Sequence, residues 1–494
     1  FGSSSEAVRL RPIVASCEYF RCADRAMAAE TGMLAKCIAE FVGTYLLVLT
    51  VGCNVLAGNA IWGGLSIASV LSVAIYAFGG VSGANFNPAV SVTLGLSKTM
   101  GGPGLDWKTV GIYCGVQVAA GILAALSFAG LFWDTFSLGP AKDFGWVTAG
   151  SCEVLYTFLL CFVVMNVAAA KKNVQEKNQY FGLAIGFVLV AGVYGAGSVS
   201  GGCLNPAVSI GIDVSNTVAW GGFGWCLAYA VFQMMGAALA AGAFFLIRPE
   251  DFGREPISPR AQKLMSEFLG TFFLVLTVGL NSLGHSPAAV ISIAASLMCM
   301  IYALGDVSGA HFNPAVTLAI FASGRAKDFT AEDAAYYALT QLGAGVVASA
   351  TYAGIYHGNV VPLAPKGDFG WGEVAIGETV FTFVLCLVVL SVAVSEQTKT
   401  KDMFGFAIGS CITVGGFAIG GISGGSLNPA VSLGIAMPHL VHGGGFFYEA
   451  AVYTMFEIIG GVLAAGIFNI THEAESSAKT AELKEDMVGE ASVA

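Results

Sequence analysis

Asparagine is a strong helix N-cap and proline is favoured at the first helical position. Asn-Pro-Ala is therefore a compact helix start that also presents a side-chain amide. This sequence carries it four times, as Asn87-Pro88-Ala89, Asn205-Pro206-Ala207, Asn313-Pro314-Ala315 and Asn428-Pro429-Ala430. Each copy is followed by valine and preceded by a turn rich in glycine and serine. A second pattern accompanies every copy: Glu40 and Thr44, Glu153 and Thr157, Glu267 and Thr271, and Glu378 and Thr382, one helical turn apart, precede the asparagines by 47, 52, 46 and 50 residues. The chemistry open to these residues is non-covalent: amide donors for a passing solute, and helix N-termini that oppose a cation. There is no nucleophile–base set, no metal-ligand spacing and no phosphate-cradling loop, so neither an enzyme nor a cofactor is expected.

The elements that must position these residues are apolar. The 494 residues are 56% hydrophobic and 11% charged, with a mean hydropathy of +0.75. A soluble domain averages roughly 25% charged residues, so this chain could not cover itself with polar groups. Runs such as 41–58 and 154–170 approach the ~20 apolar residues that cross a bilayer. An all-α polytopic membrane protein in contact with lipid follows, with no nucleic-acid partner. Most of the 12 cysteines, Cys161 and Cys386 among them, fall inside these runs and read as small hydrophobes. The net charge of -10 resides in loops and tails.

The chain is written twice. Residues 40–54 and 267–281 agree at 11 of 15 positions, and the offset between matching residues runs from 227 at Glu40 and Glu267 to 223 at Asn205 and Asn428. The expected organisation is a cytoplasmic tail over 1–34, a first unit over 35–247, a cytoplasmic linker over 248–263, a second unit over 264–470 and a disordered acidic tail over 471–494. Six spans are expected per unit, in the first near 35–56, 63–82, 108–132, 147–170, 179–198 and 222–247, giving twelve in all. Three spans per half is odd, so the second half inserts upside down relative to the first, as inverted repeats do. Of the 22 lysines and arginines, only Lys142 and Lys366 then fall outside, which satisfies the positive-inside rule and puts both termini in the cytoplasm.

About ten helix-compatible residues follow each Asn-Pro-Ala. At ~1.5 Å per residue they reach ~15 Å, half of a ~30 Å hydrocarbon core. Such a segment enters the membrane and stops at its midplane, where irregular backbone is tolerated only in protein or beside a wet cavity. Two half-helices entering from opposite faces would meet N-terminus to N-terminus.

From about Ala35 to Thr471 the sequence resembles the aquaporins, or major intrinsic proteins, in two fused copies. The resemblance rests on the four Asn-Pro-Ala motifs, the four E-x-x-x-T helices and the wording Ser-Gly-Ala-His-Phe-Asn-Pro-Ala-Val-Thr at 308–317. It implies six spans and two half-helices per pore, tetrameric assembly, and passive conduction of water or small neutral solutes such as glycerol, urea or ammonia. Two pores per chain would let a homodimer mimic the tetramer. The resemblance also implies that Glu40, Glu153, Glu267 and Glu378 accept hydrogen bonds from the half-helix loops.

In this family an arginine nearly always follows the second Asn-Pro-Ala and lines the outer constriction. Val208 and Val431 stand there. Counting from the motifs gives the other constriction positions as Ile67, Val193 and Gly202 in the first unit and Ile293, Gly416 and Gly425 in the second. Both filters read as apolar and without fixed positive charge, and Gly416 predicts a roomier constriction in the second unit. His311 and Asp306, which replace Asn85 and Gly80, are candidate gating residues placed to sense pH. Cys203 lies beside the second motif, where mercurial block and the inertness of a buried thiol are the two expectations. Gln117 and Gln341 are expected to cross-link helices, and Glu457 aligns with Gln233 without an assignable role. The competing classes are a secondary transporter, which inverted repeats also build, and a non-conducting structural or junctional member.

Overall fold

The computed structural model of the chain describes residues 31–218, 221–256, 258–443 and 447–473. The expected tails therefore lie outside the described residues, apart from 31–34 and 471–473. The apolar runs form helices α1 (Met33–Leu56), α2 (Gly63–Ser82), α3 (Pro88–Thr99), α4 (Trp107–Phe132) and α5 (Trp146–Val164). Helix α5 continues through a wider π turn at Met165–Ala169. The short α6 (Lys171–Gln175) leads to α7 (Phe181–Ser200), α8 (Pro206–Val218) and α9 (Trp225–Ile247). The order then repeats as α10 (Pro259–Leu283), α11 (Ala289–Ser308), α12 (Pro314–Ser323), α13 (Ala331–Ile355), α14 (Trp371–Val389), α15 (Phe404–Ile419), α16 (Pro429–Pro438) and α17 (Phe447–Thr471).

Ten of these helices are long and apolar enough to cross a membrane. Two of the twelve expected spans are not among them. Helix α13 opens on Glu332 and Asp333 and carries Gln341, Ser349 and Thr351, and α15 has only 16 residues. Both still take the places of their counterparts. Helix α10 packs on α13 as α1 packs on α4, and α11 packs on α15 as α2 packs on α7.

The short helices α3, α8, α12 and α16 are the ones that begin at Asn-Pro-Ala. Each is packed crosswise, α3 on α9 and α8 on α4, with α12 on α17 and α16 on α13 in the second unit. Glycine permits the approach. A Cβ on Gly121 of α4 would run into the Ala207 carbonyl, and one on Gly345 of α13 into the Ala430 carbonyl.

The two units share one interface, in which α7 packs on α11 and α10 and α5 touches α11. Polar side chains cross it: the Ser292 hydroxyl donates to Ala191 O at 3.0 Å, Tyr156 and Thr277 hydroxyls meet at 3.1 Å, and Tyr180 stacks on Tyr302 at 4.3 Å. At the edge nearest the linker, Arg248 is 2% exposed and locks the units together. It donates through Nε to Asn166 Oδ1 of the π turn at 2.6 Å, and through both terminal nitrogens to the Asp306 carboxylate of α11 at 2.9 and 2.6 Å.

A bidentate guanidinium–carboxylate pair is geometrically specific, and removing one member of a buried pair strands the other. Arg248→Ala is therefore expected to cost about 3 kcal/mol. It should lower the thermal unfolding midpoint of the detergent-solubilised chain, and the double variant Arg248→Ala with Asp306→Ala should recover part of the loss.

Candidate functional site

Turning the chain back inside an apolar body requires unusual backbone. Phe86, Leu204, Phe312 and Leu427, each immediately before an asparagine, have φ of 50°, 54°, 49° and 54°. A non-glycine residue in this left-handed region costs roughly 1–2 kcal/mol, so packing must hold it. Gly43 and Gly270 sit against the rings of Phe86 and Phe312, where any Cβ would collide. This explains the glycine between the glutamate and threonine in the first and third E-x-x-x-T helices.

Each asparagine caps its own helix, its Oδ1 accepting from the N–H two residues on: Ala89, Ala207, Ala315 and Ala430, at 2.8 to 2.9 Å. That fixes the amide. Asn87 Nδ2 then donates to Leu204 O at 2.9 Å and Asn205 Nδ2 to Phe86 O at 3.0 Å, so the two half-helix starts are tied to each other. Asn313 and Asn428 repeat the exchange with Leu427 O and Phe312 O.

The loop N–H groups go to the buried carboxylates. Glu40 accepts from the Ser82 hydroxyl and from the N–H groups of Asn85 and Phe86 at 2.6, 2.9 and 2.8 Å. Glu153 does the same for Ser200, Cys203 and Leu204, Glu267 for Ser308, His311 and Phe312, and Glu378 for Ser423, Ser426 and Leu427. All four are 0% exposed. A tyrosine completes each cage, with Tyr113, Tyr229, Tyr337 and Tyr453 donating to the carbonyl of the same serine. The partner threonines act differently. The hydroxyls of Thr44, Thr157, Thr271 and Thr382 are buried without a hydrogen-bond partner, so these residues contribute packing. The tyrosines were not singled out by sequence, though their even spacing from the motifs could have shown them.

A cavity of about 510 Å³ lies in the first unit. Asn87 and Asn205 line it, and so do Ile67, Val193, Gly202 and Val208, together with Cys203. Lys177, Gln179 and Phe136–Gly139 line it as well. The second unit brings together the matching set, Asn313, Asn428, Ile293, Gly416, Gly425 and Val431, around a cavity of only about 110 Å³.

Three expectations are corrected here. The constriction at Gly416 is not the roomier one, because Val290 of α11 fills it: its methyl carbon would lie 2.7 Å from a Cβ on Gly416. The first unit has Gly64 at the position of Val290 and Val193 at that of Gly416, and there a Cβ on Gly64 would run into the Tyr194 ring. The second cavity does not lack positive charge. Lys366, from the loop before α14, lines it and donates from Nζ to Gly420 O at 2.9 Å. Sequence counting missed Lys366 because it lies far from any motif. Asp306 and His311 do not form one sensor, since Asp306 is held by Arg248 and approached by Lys172 at 3.7 Å. His311 lines the cavity, with Nδ1 3.2 Å from the Thr317 hydroxyl.

A family model described as major intrinsic protein matches residues 27–214, 142–282 and 257–468. The middle match crosses the linker, as alternating halves of one kind allow. A probable NIP-type aquaporin of Nicotiana alata is 32% identical over 247 residues, covering 47% of this chain and 85% of that protein. Aquaporin AqpM of Methanothermobacter thermautotrophicus is 32% identical over 41% of this chain and 94% of its own length. An aquaglyceroporin structure from Plasmodium falciparum aligns with 42% of this chain and 96% of its own at 21% identity, with a TM-score of 0.36.

Removing a cage carboxylate leaves several buried donors unpartnered, at roughly 1–3 kcal/mol each. Glu153→Leu strands the Ser200 hydroxyl, two backbone N–H groups and the Gln233 amide. It is expected to destabilise the chain by at least about 4 kcal/mol, which would appear as loss of monodisperse protein on size-exclusion chromatography.

Proposed function

The chain belongs to the major intrinsic protein family, membrane channels for water and small solutes, and we propose that it carries two pores with unlike, arginine-less outer filters. The observation that supports this most is the first unit's cavity, in which Asn87 and Asn205 share one space with Ile67, Val193, Gly202 and Val208. Two asparagine amides and two helix N-termini supply polar contacts and oppose cations at its middle. Its outer end is walled by apolar side chains and glycine, which suits small neutral solutes such as glycerol, urea or ammonia as well as water. The second unit has the same plan in a narrower space, with Lys366 supplying the fixed positive charge that Val431 does not. On this reading the first unit carries most of the flux.

Both termini and the 248–263 linker are assigned to the cytoplasmic side, with the units bounded at 35–247 and 264–470. Burial supports a dimer of chains. In the most apolar stretches of α10 and α11, 78% and 67% of residues are buried, because these helices face the other unit; for their counterparts α1 and α2 the share is 33%. The equivalent face of the first unit is thus left open, as is that of α14, 44% buried against 72% for α5. A second chain turned about a two-fold axis would cover both.

Stopped-flow light scattering on vesicles holding the full chain tests the conduction of water, glycerol, urea and ammonia. Val208→Arg should lower glycerol and urea flux roughly tenfold, the effect of ~1.4 kcal/mol on the barrier, and Val431→Arg should lower it little further. Unchanged flux in the double variant would remove these valines from the filter, and no flux of any solute in the parent would favour a structural role. Cys203 separates the units, because its counterpart is Ser426. A mercurial should block most of the flux in the parent and none of that portion in Cys203→Ser.

A further inference from the structure

Three of the four half-helix loops are completed by a glutamine. Gln117 Nε2 donates to Glu40, Gln233 Nε2 to Glu153 and Gln341 Nε2 to Glu267, each at 2.8 Å. Each also bonds the hydroxyl one turn into the half-helix, Ser91, Ser209 or Thr317, at 3.0 to 3.1 Å. At the fourth place, on α17, stands Glu457. Its Oε1 accepts from the Ser432 hydroxyl at 2.8 Å and from the Asn428 N–H at 3.0 Å. Its Oε2 is buried with no hydrogen-bond partner, and the residue is 0% exposed.

A glutamine brings amide hydrogens to its carboxylate, whereas an ionised glutamate brings none and sets a second anion beside the first. Among the described residues neither Glu378 nor Glu457 enters an ion pair. The titratable groups that face the pair are Tyr453 on α17, whose hydroxyl is donated to Ser423 O, and Cys386 on α14. Neither is a cation. The 423–427 loop and α16 offer only hydroxyl and peptide groups, and Glu378 already takes those of Ser423, Ser426 and Leu427. Two like charges buried together without a counter-ion cannot both ionise, and a buried polar atom without a partner is expensive.

We propose that Glu457 is a proton-binding site: it holds a proton between its Oε2 and the Glu378 carboxylate, doing for the second unit's last loop what the Gln233 amide does for the first. No bond other than O–H is made or broken, and the proton comes from water. The site lies behind the second cavity, next to the peptide that starts α16, and it stands whether or not that cavity conducts. Unlike the three amides, this link can be undone by base, which would leave two anions facing each other beside Asn428.

Infrared spectroscopy of the purified full chain, in light and heavy water, reads the proton directly. The parent should show a carboxylic-acid carbonyl band that shifts in heavy water, and Glu457→Gln, which copies the first unit, should remove it from the difference spectrum. Gln233→Glu rebuilds the pair in the first unit and should double the band. A spectrum that neither loses the band in the first variant nor gains one in the second overturns the proposal. If Glu457→Gln fails to fold, the gain or absence of a band in Gln233→Glu decides alone. Because no flux is measured, failure of the channel reading and failure of this one are distinguishable.

Discussion

A peptide chain that turns back inside an apolar layer leaves N–H groups that lipid cannot accept, and the whole structure is arranged around four carboxylates that accept them. Each glutamate takes two consecutive loop N–H groups and a serine hydroxyl, and it does so from a long helix that it cannot leave. The loop is thereby fixed to a rigid element, and the asparagine one or two residues on inherits a fixed position. From there the remaining contacts follow in sequence: Oδ1 caps its own helix, Nδ2 reaches the carbonyl of the opposite loop, and the two half-helices are locked start to start. The left-handed backbone at Phe86 and its three counterparts is held only inside this lock, and at Phe86 and Phe312 a glycine, Gly43 or Gly270, makes room for the ring.

Repetition of that cage is what made the fold readable. Four asparagines and four glutamates at matched separations define the halves, and hydropathy supplies the long helices between them, so helix positions near 63–82 or 222–247 could be read to within a few residues of α2 and α9. The constriction was readable only as positions. Gly416 marks a missing side chain, but that Val290 fills the gap depends on how α11 and α15 pack, which no count from a motif contains. Lys366 escaped for the same reason, since its loop folds over the cavity from more than fifty residues away in the chain. Asp306 misled in the opposite direction. Its neighbourhood in sequence is the half-helix loop, yet its neighbour in space is Arg248, the first residue of the linker.

The fourth half departs from the other three in several linked ways. It alone has glutamate in place of glutamine on the supporting helix, and serine at Ser426, where the first unit has Cys203. These residues touch one another: Ser426 and Ser432 hydroxyls meet at 2.7 Å, and Ser432 donates to Glu457. The exchange therefore reads as one rewired network rather than as independent drift, and it is confined to the unit with the narrower cavity.

Covalent fusion is what permits such divergence. In an assembly of identical subunits every interface face must serve both at the joint and at any position symmetry copies it to. Across the joint α11 faces α7, α5 and the π turn at Met165–Ala169, and a polar group stands where a partner exists: Cys299 takes the place that Val73 has in α2. Cys299 finds the Ala184 carbonyl of the first unit, whereas Val73 is 62% exposed and apolar. A valine at Cys299 would forfeit that bond to the first unit. The same freedom applies inside each cavity. Once the two units are distinct genetic positions, the glycine–valine exchange between helices, the lysine at one mouth and the glutamate behind one loop can each be kept in a single copy, while the carboxylate cage, on which both copies depend, stays the same.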